Sequence, residues 1–184
     1  LGDVYKRQGV SRMASLEIVL CAGGLEGRFS AAERERLAAE KNARYLRFVS
    51  QMTPAEVLPG VAAFLHDVRS RGVRTVLGSA SKNAGTILDR CGLRPLFDAV
   101  VDGNEVSRAK PDPEVFLKGA AAVDAAPSVC VVFEDAAAGI EAASRAGMRS
   151  VGVGGDASLS AATMRLETFA GFTFEQLAMK IDRD

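Results

Sequence analysis

Cysteine is scarce in this sequence, and its three copies show no metal or redox spacing. Cys21, Cys91 and Cys130 are far apart, odd in number and free of any C-x-x-C pair. This pattern argues against a disulfide framework and against a zinc site. A reduced cytoplasmic setting fits it best, and we expect the three side chains to be small core residues.

Long apolar runs and an excess of one charge are also absent. The sequence has no run of 18 apolar residues and no signal-peptide segment, so we expect that it neither spans a membrane nor is exported. Its 23 basic residues balance 23 acidic residues, which gives no reason to expect binding to nucleic acid. Any anion must be recognised locally. We expect the only histidine, His66, at the surface or its boundary rather than in catalysis.

The sequence has 184 residues, of which 48% are hydrophobic, and this is enough for one domain with a small appendage. Residues 1–8, LGDVYKRQ, have no strand or helix period, and we interpret them as a non-native or disordered leader. A frayed native terminus is the alternative. Residues 9–55 form a predicted helical unit, and residues 56–184 form a predicted α/β core.

The hydrophobic periods predict helices first and then strands alternating with helices. One helix, MASLEIVLCA, is closed by Gly23 and Gly24, and Ser30 caps the next. The core pattern predicts helices at residues 61–70, 83–91, 113–123 and 137–146. It predicts strands at residues 74–79, 98–101, 129–133 and 150–154. In the tail, from residue 168, it predicts a last strand and a helix capped by Thr173. This alternation predicts an α/β fold, a Rossmann-like parallel sheet with helices on both faces. Ligands of such sheets bind at the carboxyl ends of the strands.

Three polar segments fall at those strand ends, and the first is GSASKN at residues 78–83. Small hydroxyl side chains and free backbone N–H groups ahead of a helix can cradle a phosphate. A Ser/Asn-capped turn is the equally open alternative. The second segment holds Lys110 just before Pro111, where the chain cannot yet be helical, so that a compact positive charge projects from a stiff loop. A solvated surface lysine is the alternative there.

The third segment places two acids, Glu134 and Asp135, at the end of a buried strand. Adjacent carboxylates repel each other unless a cation lies beside them. Mg²⁺ fits, because it takes one or two protein carboxylates and keeps room for water and phosphate oxygens. The alternative is that Asp135 caps the following helix.

These segments, in this order, resemble motifs two, three and four of the haloacid dehalogenase superfamily of phosphotransferases. The segments SASKN, AKPDPEVF, FEDAAAGIEAASRAGM and VGVG are similar to its β-phosphoglucomutase branch, as are GVSRMASL and EKNARY in the helical unit. The resemblance covers roughly residues 9 to 154. It implies that the helical unit, residues 9–55, is part of a cap domain that closes over the substrate.

The resemblance also implies roles for individual residues. Ser79 would bond the transferring phosphoryl group and Lys110 would balance its charge, while Glu134 and Asp135 would hold Mg²⁺. Arg12 would grip the second phosphate of a bisphosphorylated intermediate. The other residues implied to lie near phosphate or sugar are Gly9, Val10, Ser15 and Lys41 on the cap, Ala80 and Asn83, and, by proximity only, Ser81 and Lys82.

One departure from the family pattern matters most. The family's nucleophile is an aspartate in an Asp-x-Asp-x stretch after the first core strand, but the only aspartate here before Asp67 is Asp3, with no apolar strand leading into it. Ala136 also stands where the branch often has a hydroxyl residue. The simplest interpretation is an N-terminal truncation. The missing strand would lie between the strands ending at Ser79 and Glu134, so we expect marginal stability, closure of those two strands, or a borrowed strand.

The expected activity of the intact parent is that of a phosphosugar mutase, converting β-glucose 1-phosphate to glucose 6-phosphate through a bisphosphate. We expect this chain alone to be inactive and the parent to be a monomer. A sugar-phosphate phosphatase is one alternative. A non-catalytic protein that binds phosphosugars is another.

Overall fold

The computed structural model describes residues 12–181. The predicted leader and the predicted substrate residues Gly9 and Val10 therefore lie outside the described residues. The helices are α1 (Arg12–Ala22), α2 (Ala31–Ser50), α3 (Val61–Ser70), α4 (Ala84–Arg90), α5 (Glu114–Ala122), α6 (Ala137–Arg145) and α7 (Phe174–Ile181). The strands are β1 (Val76–Gly78), β2 (Ala99–Val101), β3 (Val131–Glu134), β4 (Arg149–Val153) and β5 (Met164–Leu166).

The helical unit forms as its caps predict. Helix α1 ends at a turn containing Gly23 and Gly24. Ser30 begins α2 with a reciprocal capping box, in which its hydroxyl accepts the N–H of Glu33 and the Glu33 carboxylate accepts the N–H of Ser30. Between residues 12 and 55 the structure contains no strand. The boundaries proposed at residues 8 and 55 stay predictions.

The strands form two parallel sheets rather than one. Strand β1 pairs with β2, and a second sheet has the order β3-β4-β5. Within residues 12–181, β1 and β3 share no ladder of backbone hydrogen bonds. The expectation that these two strands would close up is therefore wrong for the described chain.

Helices cover both faces of the larger sheet, as the alternation predicts. On one face Val151 packs with Phe64 and Val68 of α3 and with Leu177 and Ile181 of α7. On the other face Val132 packs with small residues of α5 and of α6 with its C-cap, namely Ala120, Ala143 and Ala146. Along β3, Val131 and Phe133 pack on the first core and Val132 on the second, which is the two-sided burial typical of parallel strands. The α/β prediction is confirmed.

Several local predictions need correction. The last strand, β5, spans Met164–Leu166 and so lies before the tail from residue 168 that was expected to supply it. The Thr173 cap of α7 is confirmed, because the Thr173 hydroxyl accepts the N–H of Gln176. Cys91 is buried, but Cys21 is exposed and is no core residue. His66 is exposed, as expected. No helix within the described range has the length and apolar character needed to cross a bilayer.

Candidate functional site

A cavity of about 860 Å³ opens where the carboxyl ends of β1 and β3 meet the helical unit. Gly9 and Val10 lie outside the described residues, and every other residue that the sequence predicts for the site lines it. These residues are Arg12, Ser15, Lys41, Ser79, Ala80, Ser81, Lys82, Asn83, Lys110, Glu134 and Asp135. The fold thus brings five separate stretches of sequence to one space, while their chemical roles stay predictions.

The loop from Ser79 to Asn83 is built on its own serine hydroxyls. The Ser79 hydroxyl accepts the N–H of Ser81 at 3.1 Å, and the Ser81 hydroxyl accepts the N–H of Asn83 at 3.2 Å. Two of the backbone N–H groups expected to be free are therefore already bonded. Each hydroxyl oxygen acts as an acceptor here, which leaves its own proton available for a further hydrogen bond.

The alternative for this loop, a Ser/Asn-capped turn, is right for its serine hydroxyls and wrong for Asn83. Asn83 is the N-cap residue, but its side chain makes no cap hydrogen bond. The loop is supported from outside instead, because the N–H of Gly103 reaches the Ser81 carbonyl and the Asn104 side chain donates to the Lys82 carbonyl. A Cβ on Gly103 would lie 2.4 Å from the Ala80 carbonyl oxygen, so this close approach requires glycine.

Lys110 is buried, with 8% of its surface exposed, which excludes the solvated alternative. Its ammonium group forms a close ion pair with Glu134 and donates to the Gly78 carbonyl at 3.2 Å. It also lies 4.5 Å from the centre of the Phe116 ring. The cation thus contacts the last residue of β1, the last residue of β3 and an aromatic face of α5.

The acids at the end of β3 differ sharply in environment. Glu134 is 9% exposed, and burial raises the pKa of its carboxyl; the Lys110 cation opposes this rise and the Asp135 charge adds to it. Asp135 is exposed to the cavity. Helix α6 has Ala136 as its N-cap without a side-chain hydrogen bond. The alternative that Asp135 caps this helix is therefore wrong.

Glycine at position 139 lets the Glu134 carboxylate lie against the first turn of α6. A Cβ there would stand 2.1 Å from the Glu134 Cδ and 2.4 Å from both carboxylate oxygens. Such distances are far below van der Waals contact, so any larger residue must displace the carboxylate. The sequence alone did not show that Gly139 makes the space that the Glu134 carboxylate occupies; the three-dimensional structure does.

The helical unit contributes the opposite wall. The Lys41 ammonium donates to the hydroxyl of buried Ser15 at 3.4 Å, which joins α1 to α2 at the cavity. Arg12, the first residue of α1, is exposed and lines the same wall. These cations face a core wall that carries Lys82 and Lys110.

Sequence reasoning missed several lining residues. Asn42 and Tyr45 follow Lys41 on α2, and the Lys41 to Tyr45 spacing of four residues places both on one helical face. That spacing could have identified Tyr45. Leu58 and Phe169 also line the cavity, but nothing in their local sequence separates them from core residues. Phe169 also packs on Phe64 and Phe133, so it belongs to the core, as expected for the tail phenylalanines, and to the cavity wall as well.

The acids suit a magnesium ion by their chemistry and their number. Glu134 and Asp135 offer carboxylate oxygens at one end of the cavity, and Mg²⁺ typically takes one or two such ligands with water or phosphate oxygens completing the shell. Within residues 12–181 no group of three or more His, Cys, Asp or Glu side chains forms a closed protein cage for a metal. The open pair fits Mg²⁺ better than a structural metal.

Comparison with known proteins agrees with this geometry. The family profile described as haloacid dehalogenase-like hydrolase matches residues 3–147. The chain belongs to this family. The β-phosphoglucomutase of Bacillus subtilis strain 168 is 38% identical over 176 residues, which cover 95% of this chain and 78% of that protein. The expected family membership is confirmed.

Other relatives of this haloacid dehalogenase-like chain include both mutases and phosphatases. A crystal structure of β-phosphoglucomutase from Clostridium difficile superposes with a TM-score of 0.91 at 36% identity, covering 98% of this chain and 81% of that one. The fructose-1-phosphate phosphatase of Escherichia coli K12 is 40% identical over 117 residues, covering 64% of this chain and 61% of that protein. The relatives therefore support a phosphosugar mutase or phosphatase.

Proposed function

We propose that the intact parent of this chain is a phosphosugar mutase of the β-phosphoglucomutase type. The observation that carries the proposal is one cavity with cations on two walls, Arg12 and Lys41 from the helical unit and Lys82 and Lys110 from the core. A sugar bisphosphate has an anionic group at each end, and two cationic walls complement it. A phosphatase acting on a monophosphate needs only one of them.

On the core wall, Ser79 and Lys110 act on the transferring phosphoryl group. The Ser79 hydroxyl oxygen accepts a backbone N–H, which leaves its own proton free to donate to a phosphoryl oxygen. The ammonium of Lys110 offsets the negative charge that spreads over the phosphoryl oxygens in the transition state. Mg²⁺ held by Glu134 and Asp135 would neutralise further phosphate charge. The Ala80 backbone and the Asn83 side chain help to hold the phosphate.

On the cap wall, Arg12 binds the phosphate that is not transferred. Ser15 and Lys41 contact the sugar or that phosphate. Closure of the helical unit excludes water, so a sugar hydroxyl rather than water receives the phosphoryl group. After the first transfer the bisphosphate turns round and returns its other phosphate to the enzyme.

The phosphoryl acceptor of this mechanism is an aspartate in an Asp-x-Asp-x stretch that follows an apolar strand, and no such stretch is found in this sequence, in which Asp3 is the only aspartate before Asp67. We therefore propose that the chain is an N-terminally truncated fragment and that it binds phosphosugars without turnover. A measured mutase rate that disappears in Lys110→Ala would contradict this. A cytoplasmic location and a monomeric parent stay proposals.

A sugar-phosphate phosphatase is the second candidate, favoured by the 40% identity to the fructose-1-phosphate phosphatase over part of the chain. The mutase and phosphatase cores share the same groups, so the cap decides between them. A non-catalytic phosphosugar-binding protein is a third candidate. Its mark would be binding without turnover in the full natural protein.

The test is a comparison of binding by calorimetry in the presence of Mg²⁺. The chain should bind glucose 1,6-bisphosphate at least tenfold more tightly than glucose 6-phosphate, because both walls are engaged. Arg12→Ala should remove this preference, whereas Arg28→Ala, an exposed arginine outside the cavity, should keep it. Equal affinities for the two ligands in the unaltered chain would favour a phosphatase.

The magnesium proposal has its own test. Titration of the chain with Mg²⁺ should give a binding isotherm that is lost in Asp135→Asn and weakened in Glu134→Gln. Asp89→Asn, which changes an exposed carboxylate away from the cavity, is the matched control. Unchanged Mg²⁺ affinity in both site variants would contradict the assignment.

A further inference from the structure

The loop that carries Lys110 is fastened to the first turn of helix α5. The Glu114 carboxylate accepts the Ser107 N–H at 3.0 Å, the Ser107 hydroxyl at 2.9 Å and the Arg108 N–H at 2.8 Å. These bonds join the two ends of the segment 107–114, and Lys110 lies in the middle of that segment. The closed loop leaves the backbone on both sides of the lysine little freedom.

The same carboxylate is itself held in place. Its side chain is only 11% exposed, and the Lys118 ammonium lies 2.8 Å away, one turn further along α5. This ion pair and the bonds from Ser107 and Arg108 lower the pKa of Glu114 from its usual 4.5 to about 2. The carboxylate therefore stays ionised and remains an acceptor throughout the neutral range.

A second residue of α5 defines where the lysine ends. Phe116 places its ring 4.5 Å from the Lys110 ammonium, at the distance of a cation–π contact. Glycine at position 78 gives the ring room, since a Cβ there would lie 3.1 Å from the Phe116 ring and the ring would have to shift by a few tenths of an ångström. The ammonium is thus bounded by the ring, the Gly78 carbonyl and the Glu134 carboxylate.

We propose that Glu114 and Phe116 are positioning residues that hold the Lys110 ammonium at the phosphoryl end of the cavity. Glu114 fixes the backbone of the loop, and Phe116 fixes the end of the side chain. The inference rests on the proposed function in one respect, since it assumes that Lys110 acts on phosphate. Neither Glu114 nor Phe116 lines the cavity, so both act through Lys110.

The experiment measures the exposure of each lysine by brief labelling with acetic anhydride and quantitative peptide mass spectrometry. Exposed Lys82 and Lys180 serve as internal standards. A buried, ion-paired ammonium reacts slowly. In Glu114→Gln and in Phe116→Leu, labelling of Lys110 relative to these standards should rise about threefold or more.

Two variants serve as matched controls. Lys118→Ala removes the ion pair of Glu114 but keeps its bonds to Ser107 and Arg108, and Phe116→Tyr keeps the aromatic face. Labelling of Lys110 in both should stay close to that of the unaltered chain. Unchanged far-UV circular dichroism and urea midpoints across the variants show that the fold is kept, and Glu114→Gln alone decides the question if Phe116→Leu does not fold.

Unchanged labelling of Lys110 in the two test variants would overturn the inference. Binding of inorganic phosphate, measured by calorimetry on the same proteins, separates it from the proposed function. Weaker phosphate binding together with faster labelling supports both. Faster labelling with unchanged phosphate affinity keeps the positioning role but overturns the phosphoryl role of Lys110.

Discussion

The ammonium of Lys110 lies against the carboxylate of Glu134 and also reaches β1, so this one side chain connects two parallel sheets that share no backbone ladder within residues 12–181. The lysine also bonds the carbonyl of Gly78, the last residue of β1. Two adjacent acids at a strand end need a nearby cation, and the chain itself supplies one. Mg²⁺ at this site would share Glu134 with that lysine.

Removal of the lysine should destabilise the chain. Lys110→Met leaves the buried Glu134 carboxylate without its cation, and we expect a loss of about 3 kcal/mol in the free energy of unfolding. The double variant Lys110→Met with Glu134→Gln should recover much of this loss, because no buried charge remains. Urea denaturation of the three proteins measures both values. A single-variant loss below about 1 kcal/mol would show that the pair contributes little.

Insertion of one methyl group beside Glu134 should disturb the acid pair. Gly139→Ala places a Cβ 2.1 Å from the Glu134 Cδ, and we expect a destabilisation of about 1–3 kcal/mol together with weaker Mg²⁺ binding. Adding Glu134→Asp, which shortens the carboxylate arm, should restore stability. Gly155→Ala, whose Cβ meets nothing within 4 Å, is the control. Thermal denaturation and Mg²⁺ titration test the prediction, and stability of Gly139→Ala equal to the control would refute it.

At acidic pH the free energy of unfolding should depend on the ionisation of Glu114. Its pKa is lowered from 4.5 in the unfolded chain to about 2 in the fold, so its contribution is fully present above pH 4.5 and is lost as the pH falls through that window toward 2. Glu114→Gln should flatten the pH dependence of unfolding between pH 5 and pH 2. Urea midpoints measured across this range give the answer. Parallel curves for the two proteins would contradict the assigned shift.

The edges of β1 and β3 should limit stability. Unpaired strand edges leave backbone groups without partners, and we expect either an unfolding free energy below about 5 kcal/mol or a value that rises with protein concentration as copies associate. Urea denaturation at two concentrations, combined with sedimentation analysis, distinguishes these cases. A concentration-independent value above about 10 kcal/mol would show that the edges are satisfied within one chain.

The sequence by itself determined much of the architecture. The Ser30 cap, the glycine stop after α1 and the strand–helix alternation are local signals, because caps and hydrophobic periods act over a few residues. The polar segments at Ser79, Lys110 and Glu134 were identified for the same reason, since strand ends carry the ligands of such sheets.

Tertiary structure decided what the side chains of these segments do. That Lys110 pairs with Glu134, that Asp135 is no cap and that Ser79 and Ser81 bond their own loop all depend on how segments meet in space. The short strand β5 and the lining role of Phe169 also escaped prediction, because a three-residue strand has no measurable period and an aromatic side chain looks alike in a core and at a cavity wall. Contacts between residues distant in sequence arise from packing, which no local pattern encodes.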